Sequence, residues 1–388
     1  MKLFHKVFLL LFAGMFLTAC SPRINVVKVS NSVEPNTNAG YYYALPRNYI
    51  RIDVVVNETE LIKGPYAEFA EKYLGLTNVI NTSSTSYEIS EFKMSSVSEP
   101  DPEQYYHIEL PASMCNKLHD FKMQLTESGL LMNTSAESDT VKAEKQVFSN
   151  EKEENVYPDI FKYYTDLNLF ERVDTIIEKV KRDTGTIEKV TFKRSMVAKT
   201  PDQKAKDAAD FIIKVKENRF NLISGFQEVN YDKETFQHMN NELEKLENEY
   251  RKLFTGISFT RKITYSFIYL PEQSKTSDTV ALFKFSKLKG VLDKGNGYGE
   301  TVFLKINKTG ITDTLNIFVA NKNKLKAKNH GLYYRIPDYA DVSVFYENAE
   351  SLSARFLIPQ YGVICSMPAV INRYGYFPNT GAINKVGK

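Results

Sequence analysis

The residues best placed to undergo chemistry stand near the amino end, in Leu17-Thr18-Ala19-Cys20. Small residues before a cysteine, behind the basic Lys2 and Lys6 and the apolar run Val7 to Leu17, have the pattern of a lipobox. The run is too short to span a bilayer but suits the apolar region of an export signal. The chemistry expected is the joining of diacylglycerol to the Cys20 thiol, a palmitate-type anchor, with residues 1–19 removed as a signal peptide.

Other chemical signatures are fragments. Ser286-Lys287-Leu288-Lys289 matches S-x-x-K and Lys308-Thr309-Gly310 matches K-T-G, two of the three elements of serine acyl-transfer enzymes that handle peptidoglycan. The middle S-D-N element is missing, and Ser286 closes the strand-like run Leu282–Phe285 where such a nucleophile belongs at a helix start. His107, His119, His238 and His330 lack two-histidine helical spacing, and no cysteine pair has zinc spacing. Asp293 to Gly299 is glycine-rich but lacks the Gly-Lys-Ser/Thr ending of a phosphate loop, so it reads as a turn. Glu99-Pro100-Asp101-Pro102-Glu103 gathers carboxylates of the kind that bind calcium, yet its prolines favour an exposed connector. No catalytic, cofactor-binding or metal-ligating residue is therefore assigned. Tyr42, Tyr43, Tyr333 and Tyr334 form a weak ligand-binding set, since tyrosine rings stack on glycans. Adjacent strand residues point to opposite faces, so each doublet sends one ring inward. Two arrangements fit Cys115 and Cys365: a disulfide permitted by an oxidising compartment, or two buried thiols.

These residues need elements to position them. A chain of 388 residues with 43% hydrophobic content has ample material for real cores, and a net charge of +3 sets up no field that attracts nucleic acid. Phe 25 and Tyr 24 against Trp 0, in alternating runs, favour strands. The reading is an α+β fold. Two mostly antiparallel, sandwich-like β domains are separated in sequence by a long antiparallel helical hairpin. Residues 20–39 read as a flexible tether, 40–199 as an N-terminal β-rich domain with a polar loop at 135–154, 200–256 as the hairpin, and 257–388 as a C-terminal β domain. Thr200-Pro201-Asp202-Gln203 predicts a capped helix start, and Gly225 and Gly256 predict helix ends. Thr312–Val319 reads as a strand. The pattern G-x-Y-Y-x-[apolar]-P occurs twice, at Gly40–Pro46 and Gly331–Pro337, as equivalent edge strands of related domains or as a chance recurrence.

Several blocks carry a family resemblance: Gly40–Pro46, Gly64–Leu76, Thr200–Ala205, Leu243–Glu247, Leu253-Phe254-Thr255-Gly256 and Gly331–Pro337. In these the chain resembles an uncharacterised Bacteroidota lipoprotein family, domain of unknown function 4831, over about Gly40 to Met367. The resemblance implies an envelope lipoprotein and transfers no activity, cofactor or catalytic residue. Ser21-Pro22-Arg23 lacks the acidic run that follows the lipidated cysteine in surface-exposed lipoproteins of this phylum, which implies the periplasmic face of the outer membrane. The expected function is a non-enzymatic docking or structural body for other envelope proteins, attached to the membrane through its lipid. A glycan- or peptide-binding lipoprotein is the alternative, and an envelope-polymer hydrolase using Ser286, Lys289 and Lys308 is a third.

Overall fold

Period-two alternation decides the longest elements. Ile50, Ile52, Val54 and Val56 point to one side and are fully buried, whereas Arg51 and Asp53 point to the other. They lie in β2 (Gly40–Ile62), which pairs antiparallel with β3 (Ser84–Glu109) over almost its whole length. The structure is a computed structural model that describes residues 24–30, 40–109, 123–134, 160–164, 169–182, 185–226, 231–325, 331–368 and 373–387. Cys20, Cys115, the signal segment and the polar loop at 135–154 lie outside the described residues.

Strand β1 (Asn25–Lys28) extends β3, and β8 (Ile257–Tyr269) extends β2, giving the order β1-β3-β2-β8. A second sheet has the order β10-β9-β11-β12-β13, from β9 (Ser277–Ser286), β10 (Gly290–Leu292), β11 (Glu300–Lys308), β12 (Tyr333–Tyr346) and β13 (Ala349–Ser366). Ile50, Ile52, Val54 and Val56 share one apolar cluster with Phe283, Val302, Leu304 and Val342 of that sheet. The cluster thus draws on both sides of the 200–256 segment. A third sheet, β15-β14-β5-β4, joins β4 (Met123–Leu125) and β5 (Leu131–Thr134) to β14 (Arg373–Phe377) and β15 (Ala382–Gly387). Its Leu131, Tyr374 and Tyr376 pack with Tyr43, Leu45, Tyr106 and Ile108 in a second cluster. Strands β2 and β3 therefore run through two cores. A separate ribbon pairs β6 (Leu169–Arg182) with β7 (Gly185–Ala198).

Four α-helices occur among the described residues. Helix α1 (Ala70–Leu74) follows a 3-10 turn at Ala67–Phe69 and ends at Gly75, whose φ of 63° needs a residue without Cβ. In α2 (Pro201–Ser224) the Thr200 hydroxyl accepts from the Gln203 N–H while the Gln203 side chain accepts from the Thr200 N–H. Asp232 caps α3 (Lys233–Thr255) by accepting from Thr235 N–H. Arg219 of α2 donates to Asn240 and Glu244 of α3, and the Phe211 and Tyr250 rings lie 4.2 Å apart. Ala205, Ala208, Ala209 and Ile212 then meet Tyr66, Leu253 and Phe254 in a third cluster. None of the described helices is long and apolar enough to cross a membrane.

Four sequence expectations change. Residues 24–30 fall in the stretch read as a tether, yet Ile24 and Val26 are buried and β1 pairs with β3 in the register Val26↔Ile108. Thr312–Val319 is not a strand but the start of α4 (Asp313–Leu325). Its β-branched content favours extension, but Thr312 is bound through both its N–H and hydroxyl to the buried Asp338 carboxylate, and Asn316 N–H closes the first turn on Thr312 C=O. Tertiary anchoring outweighs local propensity there. Glu99–Glu103 is no connector, since it lies inside β3, and although Pro102 and Glu103 are exposed, Asp101 is buried. Finally, Leu332–Ile336, Val342–Tyr346, Ala354–Ile358 and Tyr361–Cys365, which the sequence pattern predicts as four separate strands, lie in two continuous ones, Tyr333–Tyr346 and Ala349–Ser366, because Pro337 and the residues opposite it make a bulge without ending the pairing.

That bulge is tightly closed. A Cβ on Gly362 would stand 1.9 Å from the Ile336 carbonyl oxygen. Gly362→Ala should therefore lower unfolding stability by about 1–3 kcal/mol, as overpacking of a closed site does, read as a fall in the denaturant midpoint at unchanged slope.

Candidate functional site

The two long ribbons, β2–β3 and β12–β13, carry the same irregularity. Between the pairs Ala44↔Tyr105 and Pro46↔Pro100, Leu45 alone faces Asp101–Gln104. Between Ile336↔Val363 and Asp338↔Ile358, Pro337 alone faces Pro359–Gly362. Each bulge sits at a proline, which has no N–H to give to the ladder.

Each bulge reaches across to the other ribbon. From the first, Asp101 Oδ2 accepts from Arg335 Nη2 at 2.6 Å, and Arg335 Nη1 donates to Pro46 C=O at 2.6 Å. From the second, Gln360 accepts from Asn48 N–H at 2.9 Å and donates to Asn48 C=O at 2.6 Å, as a neighbouring strand would. Arg335 is only 1% exposed, and its backbone N–H is bound to Gly381 C=O. Burial pushes the guanidinium down from its ordinary pKa, and the Asp101 carboxylate opposes that shift.

Tyrosines complete the junction. Tyr43 Oη accepts from Tyr333 N–H at 2.7 Å, so the two copies of the G-x-Y-Y-x-[apolar]-P pattern touch one another. Tyr106 stacks on both Tyr43 and Tyr333, with centroids at 5.4 and 4.4 Å, and its hydroxyl donates to Gln104. Burial holds the Tyr43 hydroxyl well above its ordinary pKa of 10.0. Of the tyrosines read as a ligand set, Tyr43 is 1% exposed, Tyr333 and Tyr334 are half-buried, and Tyr42 lies open on the opposite face, stacked on His107 at 4.5 Å. A ligand arriving from solvent would meet Tyr42 and its neighbour Tyr105 before the others. Tyr334 pairs in register with Cys365, and its hydroxyl lies against that thiol.

The serine and lysines of the acyl-transfer reading do not converge. Ser286 lies beyond the Glu300 end of β11, which pairs with Phe285, whereas Lys308 lies at the other end, opposite Ala340. Eight residues of extended chain separate those ends by about 26 Å. Lys289 is held over the Tyr298 ring at 3.9 Å. Lys308-Thr309-Gly310 is instead a structural corner. Thr309 Oγ1 donates to Asp338 Oδ1 at 2.8 Å, and Lys308 binds Asp313 at 2.6 Å. Burial alone would raise the Asp338 pKa, but donors from Thr312, Thr309 and Tyr339 outweigh it and hold the carboxyl below its ordinary 3.8. Among the described residues, no three His, Cys, Asp or Glu side chains stand close enough to hold a metal.

Sequence reasoning missed Arg335, Asp338 and Gln360 and placed Asp101 in an exposed connector. The repeated G-x-Y-Y-x-[apolar]-P pattern was the available signal, because each copy ends at the proline where a bulge forms. What these groups can do chemically is hold: at 1% and 8% exposure, Arg335 and Asp101 offer nothing to a dissolved substrate. The open surfaces lie elsewhere. At the end of α2 away from the third cluster, Phe220 and Ile223 are 64% and 60% exposed, and Phe226, just past the Gly225 cap, is 79% exposed. Along α3 a shallow depression is lined by Glu244, Lys245, Glu249, Arg251 and Lys252, of which Lys252 pairs with Glu249 and Glu244 with Arg219.

Arg335→Ala leaves Asp101 buried without its cation and should cost about 3–5 kcal/mol of stability in urea unfolding, whereas Arg335→Met with Asp101→Leu should recover most of that loss. The depressed Asp338 pKa adds stability that is complete well above pH 3.8 and is lost as pH falls through 3.8 and below. The acid limb of the stability profile should accordingly be shallower in Asp338→Asn than in the parent chain.

Searches of the curated proteins and of the solved structures gave no match. The family model described as a domain of unknown function, DUF4831, matches residues 39–374, a span that contains both ribbons, both proline bulges and the helices between them. The chain belongs to that family.

Proposed function

We propose that this protein is a lipid-anchored, non-enzymatic docking body of the cell envelope, held at the periplasmic face of the outer membrane through Cys20. The observation that carries the docking reading is the contrast along α2. Its Ala205–Ile212 half is sealed against Tyr66 and Leu253, while Phe220 and Ile223 near its far end and Phe226 just past Gly225 stand open. Exposed large apolar side chains gathered at one end of an element mark an interaction site more often than an idle surface. Read as an antiparallel helical hairpin rooted in a sandwich-like body, α2 and α3 would present that end to a partner. The anchor rests on the lipobox pattern and on the Bacteroidota lipoprotein resemblance.

A second reading, glycan or peptide binding, draws on one specific feature. Tyr42 is open and backed by His107, a rigid stacked pair of the kind that supports a sugar or peptide ring.

Two measurements test the first reading. Cys20→Ser should move the chain from the membrane fraction to the soluble fraction and abolish incorporation of labelled palmitate; retention in the membrane overturns the anchor. A photo-crosslinking residue at Phe226 should capture one reproducible envelope protein in intact cells, while the same residue at Lys305, on a strand of the second sheet, should not. Equal capture at both positions, or none at either, overturns the docking reading. Binding of a glycan lost on Tyr42→Ala, with no crosslinked protein, would favour the second.

A further inference from the structure

The ribbon β6–β7 is paired with no other sheet among the described residues. Alternation places Leu169, Val173, Ile177, Val190, Phe192 and Met196 on one face, and all six are exposed. An isolated two-stranded ribbon is at best marginally stable in water, and a third or fourth strand is the usual remedy. The two free edges differ in charge. On β7 (Gly185–Ala198), antiparallel pairing with a copy of itself about Thr191 sets Glu188 opposite Arg194 but Lys189 opposite Lys193, so an opposite-charge pair is offset by a like-charge pair. Cations on an edge are a common guard against pairing.

Strand β6 is different. It reads Arg172-Val173-Asp174-Thr175-Ile176-Ile177-Glu178, which is complementary to itself about Thr175. Laid antiparallel on a second copy with Thr175 against Thr175, Arg172 stands opposite Glu178 and Val173 opposite Ile177, each twice across the axis. Asp174 meets Ile176, but its carboxylate is already held by Arg172 Nε at 2.7 Å within its own strand. The matched residues have equal parity, so the apolar side of one ribbon continues into the apolar side of the other.

We propose that β6 is the seam of a two-fold self-association, in which two copies of this chain join edge to edge as a four-stranded sheet, β7-β6-β6-β7. Opposite charges and apolar pairs across an antiparallel seam each stabilise it modestly, and the two-fold axis doubles every one of them. The cationic β7 edges then stand outermost, which stops growth at two copies. The seam depends neither on the lipid at Cys20 nor on a partner at Phe226.

Disulfide capture in the full chain tests it, because the symmetric position is unique. Thr175→Cys should give a non-reducing dimer under mild oxidation, above the background set by the chain's own cysteines. Thr191→Cys, exposed on β7, should not. On the Thr175→Cys background, Arg172→Glu should cut dimer yield at least about fivefold, and adding Glu178→Arg should restore it. Sedimentation of the unsubstituted chain should show a mass that doubles with concentration. A mass that stays monomeric at every concentration, equal capture at 175 and 191, or failure of the charge swap to restore the dimer each overturns the proposal.

Discussion

A guanidinium sealed inside a β-rich protein constrains everything around it. Removing Arg335 from water costs several kcal/mol, which only good geometry and complete hydrogen bonding can offset. Here the carboxylate of Asp101 and the carbonyl of Pro46 stand at 2.6 Å, and both belong to the other ribbon. A well-packed apolar pair could be as stable, so stability alone does not account for the charge. What the pair adds is discrimination between registers. A one-residue slip of β12 within its own sheet would turn Arg335 away from Asp101 and leave two uncompensated charges indoors.

The two proline bulges explain how the ribbons come to hold each other. Proline removes one ladder donor, and the strand opposite gains slack of four residues against one. That slack carries a polar side chain outward from its own ribbon: Asp101 from one, Gln360 from the other. The exchange is reciprocal, since Gln360 satisfies the Asn48 backbone that the first bulge leaves next to it. Two ribbons with matched defects thus become one framework, with the Tyr43–Tyr106–Tyr333 stack filling the space between them.

Local signals were legible where the physics is local. The ends of α2 could be read from Thr200, Gln203 and Gly225, because caps need only neighbours in sequence. The alternation over Ile50–Val56 marked a strand with one buried face for the same reason. Non-local choices were hidden. Asp338 decides that Thr312 begins a helix, yet it lies far along the chain and beyond another element. Asp101 looked solvated because prolines flank it, and only the arrival of Arg335 makes it buried. The composition of the first cluster was hidden too, since nothing in the linear order says that Ile52 meets Leu304.

Function follows from where polar groups are already committed. Asp338 has its donors, Lys308 has Asp313 and Glu58 has both Arg261 and Tyr87, so these ionisable side chains are tied to the fold that buries them. A group engaged in this way cannot also shuttle a proton without loosening the elements it joins. The described residues also present surfaces that no such bond commits: apolar side chains at a helix end, an open tyrosine on an imidazole, and a ribbon edge whose charges alternate. Recognition asks of a fold only that such surfaces be held rigidly apart from the core, and a framework locked at two reciprocal bulges does that.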